Sequence, residues 1–162
     1  MSTTVSQIWQ PSTARIVTLN GLLPLPRGVL PADLPPLVWP AKDPGDVLDY
    51  ELDISAALAG DPTDQVATVA VTIVPNGDVG DLTLGSVVGQ GAVAVLWLSA
   101  GVVGVVYSVQ ISIGTLKGRV IGRTVLLPVQ QLAAVPPPTT PLFTDAGAVV
   151  TDQNGNPILV GG

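Results

Sequence analysis

Val47-Leu48-Asp49-Tyr50-Glu51-Leu52-Asp53-Ile54 alternates without a break: Leu48, Tyr50, Leu52 and Ile54 fall on one side of an extended chain, Asp49, Glu51 and Asp53 on the other. Successive side chains of a strand point to opposite faces, whereas a helix would spread these acids around its axis. The octet therefore reads as a strand with one face buried. The next segments follow the same rule. In VATVAVTIVP (66–75), Ala67, Val69, Val71 and Ile73 share a face opposite Thr68 and Thr72, and Asn76-Gly77 supplies a turn. DLTLGSVV, AVAVLWLS, GVVYSVQISI and RVIGRTVLLPV are short, β-branched and separated by Gly or Ser signals. In GVVYSVQISI, Val105, Tyr107, Val109, Ile111 and Ile113 face one way and Ser108, Gln110 and Ser112 the other. Short strands at nearly regular spacing predict an all-β fold, a single antiparallel β-sandwich over 41–132. SAALAG (55–60) interrupts them with at most one helical turn, stopped by Gly60 and Pro62.

Outside this region the pattern changes. Residues 1–40 hold seven prolines, each fixing φ and removing an N–H, so neither a helix nor a central strand runs far there. This is an extended arm, yet an apolar one: Trp9, Ile16, Leu19, Leu22, Leu25, Leu30 and Trp39 recur between the prolines and need burial against a partner or the arm's own domain. A second proline-rich stretch, 133–143, reads as a semi-rigid linker. The tail, 144–162, carries an imperfect repeat, TDAGAVV then TDQNGNPIL, with Asn154-Gly155 as a hairpin signal between apolar runs. A lone hairpin is marginal in water, so Phe143, Ile158 and Val160 are expected to dock on a partner or a neighbouring copy.

Composition narrows the chemistry. The 162 residues include no Cys and no His, which excludes a Ser-His-Asp or Cys-His nucleophile, thiolate or imidazole metal ligands and disulfides. Net charge is −6, and no basic patch is interleaved with aromatics, so nucleic acid is not an expected partner. No cofactor is expected: Gly89-Gln90-Gly91 lacks the strand-then-helix setting of a dinucleotide fingerprint, and Asp152-Gln153-Asn154-Gly155-Asn156 lacks the closing Glu of a calcium loop. Acids gather between Asp43 and Asp64. The Asp49, Glu51 and Asp53 row reads as a solvated outer face or as one side of an intersubunit salt-bridge surface, with Lys117, Arg119 and Arg123 as its complement. Trp97 reads as core, and Tyr107, following Gly101 and Gly104, as a tyrosine corner. The rival reading is a membrane-spanning helix, since no charge occurs between Asp81 and Lys117; repeated Gly and a preponderance of Val argue for strands.

Three stretches carry a resemblance: PLVWPAKDPGDVLDYELDISAALAGD (36–61), VLWLSAGVVGVVYSVQISI (95–113) and KGRVIGRTVLLPV (117–129). Most telling are Trp39-Pro40-Ala41-Lys42-Asp43-Pro44 running into Val47–Tyr50, then Trp97-Leu98-Ser99 with Gly101, Gly104 and Tyr107, then Gly118-Arg119. From Leu37 to Val129 the chain resembles the fiber-tail adaptors of tailed bacteriophages. The resemblance implies an immunoglobulin-like β-sandwich, a structural role in the virion joining fibres or other appendages to the tail or neck, and no active site. The expected object is non-enzymatic and multi-copy, its arm and hairpin lying along neighbouring subunits in a ring or around a tube. Its partners are identical subunits and other tail, neck or fibre proteins, with no membrane. Within this class, a neck connector or a capsid decoration protein is the alternative; a small holin-like membrane protein is the alternative from another class.

Overall fold

A computed structural model of the protein describes residues 10–19, 35–133 and 141–158. The chain divides into two compact units, Met1–Leu132 and Ala133–Gly162.

The first unit is an all-β sandwich. Its eight strands are β1 (Ile16–Thr18), β2 (Leu37–Val38), β3 (Leu48–Asp53), β4 (Val66–Val74), β5 (Thr83–Gln90), β6 (Val93–Ser99), β7 (Val106–Thr115) and β8 (Val120–Pro128). One sheet runs β1-β3-β6-β5, the other β2-β8-β7-β4. The uncharged stretch between Asp81 and Lys117 thus forms β5, β6 and β7, and among the described residues no helix is long and apolar enough to cross a membrane. Helical structure there is limited to 3₁₀ turns at Thr13–Arg15 and Ser55–Leu58.

Alternation places the core where the sequence predicts it. Tyr50, Leu52 and Ile54 are buried against Tyr107, Val109, Ile111 and Ile113 of the facing sheet, with Val125 and Leu127 of β8 and Leu96 and Leu98 of β6 completing the layer. The parity of β6 corrects one expectation. Ala94, Leu96 and Leu98 point inward, so Trp97, paired across from Asp49, stands half-buried on the outer face.

The sheets also differ from an antiparallel sandwich: both are mixed. β1 pairs parallel with β3 (Ile16 beside Glu51, Thr18 beside Asp53), and β2 pairs parallel with β8 (Leu37 beside Val125). Hydrogen bonds from Leu19 N–H to Asp53 O, 2.9 Å, and from Trp39 N–H to Leu126 O, 2.9 Å, extend these pairings. The two described stretches of the arm therefore close the same flank of both sheets of their own sandwich. Parallel pairing is forced by direction, since β1 and β2 leave the arm running the same way as the strands they join. The opposite flank is formed by β4 and β5.

In the second unit, two tight turns follow one another. Thr144 N–H donates to Ala148 O and Asp152 N–H to Asn156 O, each at 2.8 Å, and each turn closes on a glycine N–H, Gly147 to Thr144 O and Gly155 to Asp152 O. The Asp152 carboxylate accepts from the Asn154 and Asn156 N–H groups at 2.8 and 2.9 Å, making the stretch a side-chain-braced turn.

Candidate interaction surface

The strand that decides the fold is wrapped on its outer side. Ser12 N–H donates to Asp49 Oδ2 at 2.7 Å, Arg15 Nε–H donates to the Asp49 carbonyl at 2.6 Å, and the Arg15 guanidinium pairs with Asp49 Oδ1 while lying 5.9 Å from the centre of the Tyr50 ring. Asp49 and Glu51 are accordingly buried, not solvated. Burial alone would raise the Asp49 carboxyl, but the Ser12 N–H and Arg15 hold it below the usual carboxylate range. Glu51 has no such help. Burial, reinforced by the Asp49 charge, pushes its carboxyl up, and Oε1 finds no hydrogen-bond partner. Asp53 caps Ser55 N–H at 2.7 Å. The predicted row of outward charges is thus a covered seam in which one carboxylate holds the arm.

Trp39 completes the seam from inside. It is 1% exposed, donates Nε1–H to the Glu51 carbonyl at 2.9 Å and packs its ring 5.2 Å from that of Tyr50. Leu19, likewise buried, joins the same core, whereas Ile16 points outward and is exposed. Next in sequence, Lys42 is fully buried and donates Nζ–H groups to the Asp43 and Ala100 carbonyls at 2.8 and 2.6 Å; burial lowers its pKa against the pull of Asp46 and Asp43. At the far corner the buried Tyr107 hydroxyl donates to Asp81 Oδ1 at 2.8 Å and accepts from Val102 N–H at 3.0 Å. A tyrosine bonded back to the backbone a few residues upstream is the arrangement of a tyrosine corner.

The bases at the β7–β8 tip meet acids of their own chain. Lys117 pairs with Asp61, and Arg119 with both Asp61 and Asp64. Asp64, 2% exposed, also accepts from Thr115 Oγ1–H at 2.8 Å and from Lys117 N–H at 3.0 Å. The Lys117 hydrogen bond is the main reason the Asp61 carboxyl falls to about 2. These bases tie the tip to the loop before β4; they do not complement the β3 acids. Arg123 is exposed, reaches its neighbour Gly122 O at 2.7 Å and forms no salt bridge among the described residues. Sequence reading saw all these charges but not the pairings, because Asp64 and Arg119 lie on separate loops that only the register of β4 on β7 brings together.

Among the described residues, the outer face of the β2-β8-β7-β4 sheet is exposed. Cross-strand rows run Thr72–Gln110–Thr124 and Ala70–Ser112–Gly122, all exposed, with Val74, Val106 and Val38 at one end. Gly122 leaves a shallow depression floored by its neighbours on all three strands. Arg123, between Gly122 and Thr124, lines the same depression and is the charged side chain at these rows. The signal was legible, since the same parity that buries Val109 and Ile111 turns Ser108, Gln110 and Ser112 outward. In the second unit Phe143 and Ile158 are exposed. Trp9, Leu22, Leu25, Leu30 and Val160 lie outside the described residues.

Comparison with known proteins gives one family. The model described as Podophage GP4 fiber-tail adaptor protein gp77 matches residues 42–128, from the buried Lys42 to the end of β8. No curated protein matches the chain.

Proposed function

The chain belongs to the podophage GP4 fiber-tail adaptor family, a structural part of the phage tail that binds other tail or fibre proteins, and on that premise we propose how it does so. Several copies mount around the tail through the charge-poor outer face of the β2-β8-β7-β4 sheet, each an immunoglobulin-like body over 41–132, and the tail unit, 144–162, engages an appendage. One observation carries this reading: the family match covers β3 to β8 and neither the arm nor the tail unit, so the shared function belongs to the sandwich, where that face is exposed among the described residues. Interface cores are depleted of charge, and a face of Thr, Ser, Gln and Gly with Arg123 as its charge offers hydrogen bonds at little desolvation cost of ions. The hydrogen bonds of Tyr107 support the immunoglobulin-like assignment.

The test is complementation of a phage lacking this gene. Ser112→Arg places a charge at the centre of the face without touching the core. Incorporation into virions is expected to fall about tenfold, equivalent to about 1.4 kcal/mol, while the urea midpoint of the free protein stays put. Incorporation at the wild-type copy number would refute the mounting face.

A further inference from the structure

The described residues of the C-terminal unit place three equivalent positions at an eight-residue period, joined by two turns. Every eighth residue, Leu142, Val150 and Ile158, is linked to the next by a backbone hydrogen bond: Val150 N–H donates to Leu142 O at 2.7 Å, and Ile158 N–H to Val150 O at 2.9 Å. The third bond, from Leu142 N–H to Ile158 O at 2.8 Å, returns to the start and closes the ring. Residues paired in a simple hairpin exchange both bonds with one partner; here each donates to one neighbour and accepts from the other, the pattern of a threefold axis. The two turns that leave the ring are equivalent too, bridged at Phe143–Val149 and Thr151–Pro157. Side chains keep the period: Leu142, Val150 and Ile158 at the ring, and Pro141, Val149 and Pro157 just before it.

None of the described residues of this unit is buried, so they form no core among themselves. Leu142 and Ile158, at equivalent places, are 40% and 43% exposed. A segment of this size without a core needs an outside surface to cover its apolar side chains.

We infer that the unit is a symmetry match, seating on the threefold axis of a homotrimeric appendage with one copy of this chain per trimer. The inference rests on the adaptor reading and names the kind of partner the tail unit takes. A trimer presents three identical surfaces around its axis, and a single chain contacts all three alike only through three equivalent positions of its own, as Leu142, Val150 and Ile158 supply. A second copy of this chain fits worse, because a twofold pair would leave one of the three equivalent positions without a counterpart.

Native mass spectrometry of the full chain mixed with the purified trimeric fibre protein of the same phage tests this. A complex of one adaptor chain with three fibre chains is expected. Val150→Pro, which removes one N–H of the ring, and the double variant Leu142→Asp/Ile158→Asp, which keeps the backbone and removes the apolar triad, should each weaken binding at least about 100-fold. The urea midpoint of the sandwich should not move in either. Three adaptor chains per trimer, a self-associated dimer lost in Val150→Pro, or wild-type binding by both variants would overturn the inference. So would absence of any complex with the fibre. The adaptor reading itself stands or falls separately, on incorporation of Ser112→Arg into virions.

Discussion

Replacing Trp39 by Ala tests whether the arm is part of the sandwich. The indole is 1% exposed, and burying a side chain of its size removes about 200 Å² from water, worth about 5 kcal/mol at about 25 cal/mol per Å². Residual compactness of the unfolded chain trims that to about 3–4 kcal/mol. The Nε1–H bond to the Glu51 carbonyl adds about 1 kcal/mol. The expected loss is therefore about 4 kcal/mol, within the usual range for truncating a buried Trp. Against a total of about 5–15 kcal/mol the domain stays folded but weakened. In urea denaturation followed by far-ultraviolet circular dichroism, the midpoint should drop with the slope unchanged. Trp39→Phe, which keeps most of the packing, should lose about 1–2 kcal/mol. If Trp39→Ala left the midpoint within about 0.5 kcal/mol of wild type, the arm would not be docked on its own domain, and the account of β1 and β2 would fail with it.

Three further outcomes follow from the same packing. Asp49 is held below its ordinary pKa of 3.8, so the unfolded chain binds the proton more readily; its contribution is present above that value and is lost as pH falls through the lower folded one, and Asp49→Asn should flatten the acid limb of a urea-midpoint series from pH 6 to pH 2. Gly101 has φ +106°, and a Cβ there would lie 2.8 Å from Val129 Cγ2, whereas one at Gly60, φ +90°, would meet nothing; Gly101→Ala should cost about 2–4 kcal/mol and Gly60→Ala about 1 kcal/mol in thermal melts. Tyr107→Phe leaves Val102 N–H and Asp81 Oδ1 without the hydroxyl and should cost about 1–3 kcal/mol by denaturant titration, against no change if the hydroxyl were solvated.

The sandwich was legible because parity is a local property: Tyr50 and Leu52, or Val109 and Ile111, declare their side within a few residues. The arm's pairing was not. β1 and β2 are three and two residues long, too short to show a period, and a parallel partner is fixed by backbone direction rather than by side-chain pattern. The acids of β3 were misread for a related reason. Alternation says that Asp49 and Glu51 face away from the core, but not that Arg15 and Ser12 cover that side. Trp97 was legible and misjudged by residue type, since Leu96 and Leu98 on either side already send it outward. The polar sheet face was visible as Ser and Thr at alternate positions, while the ring of Leu142, Val150 and Ile158 depends on which carbonyl each amide finds.

The parallel docking of the arm sets an order on biosynthesis. Leu37 leaves the ribosome early, but its strand partner Val125 is among the last parts of the sandwich to emerge. At usual elongation rates that interval is on the order of 10 s. Throughout it, Trp39 and its apolar neighbours are in contact with solvent or with a chaperone, and the amino-terminal end cannot lock until the carboxy-terminal strand arrives. The sandwich of a nascent adaptor is thus unfinished until its last strand has been made, and its arm has no seat before then.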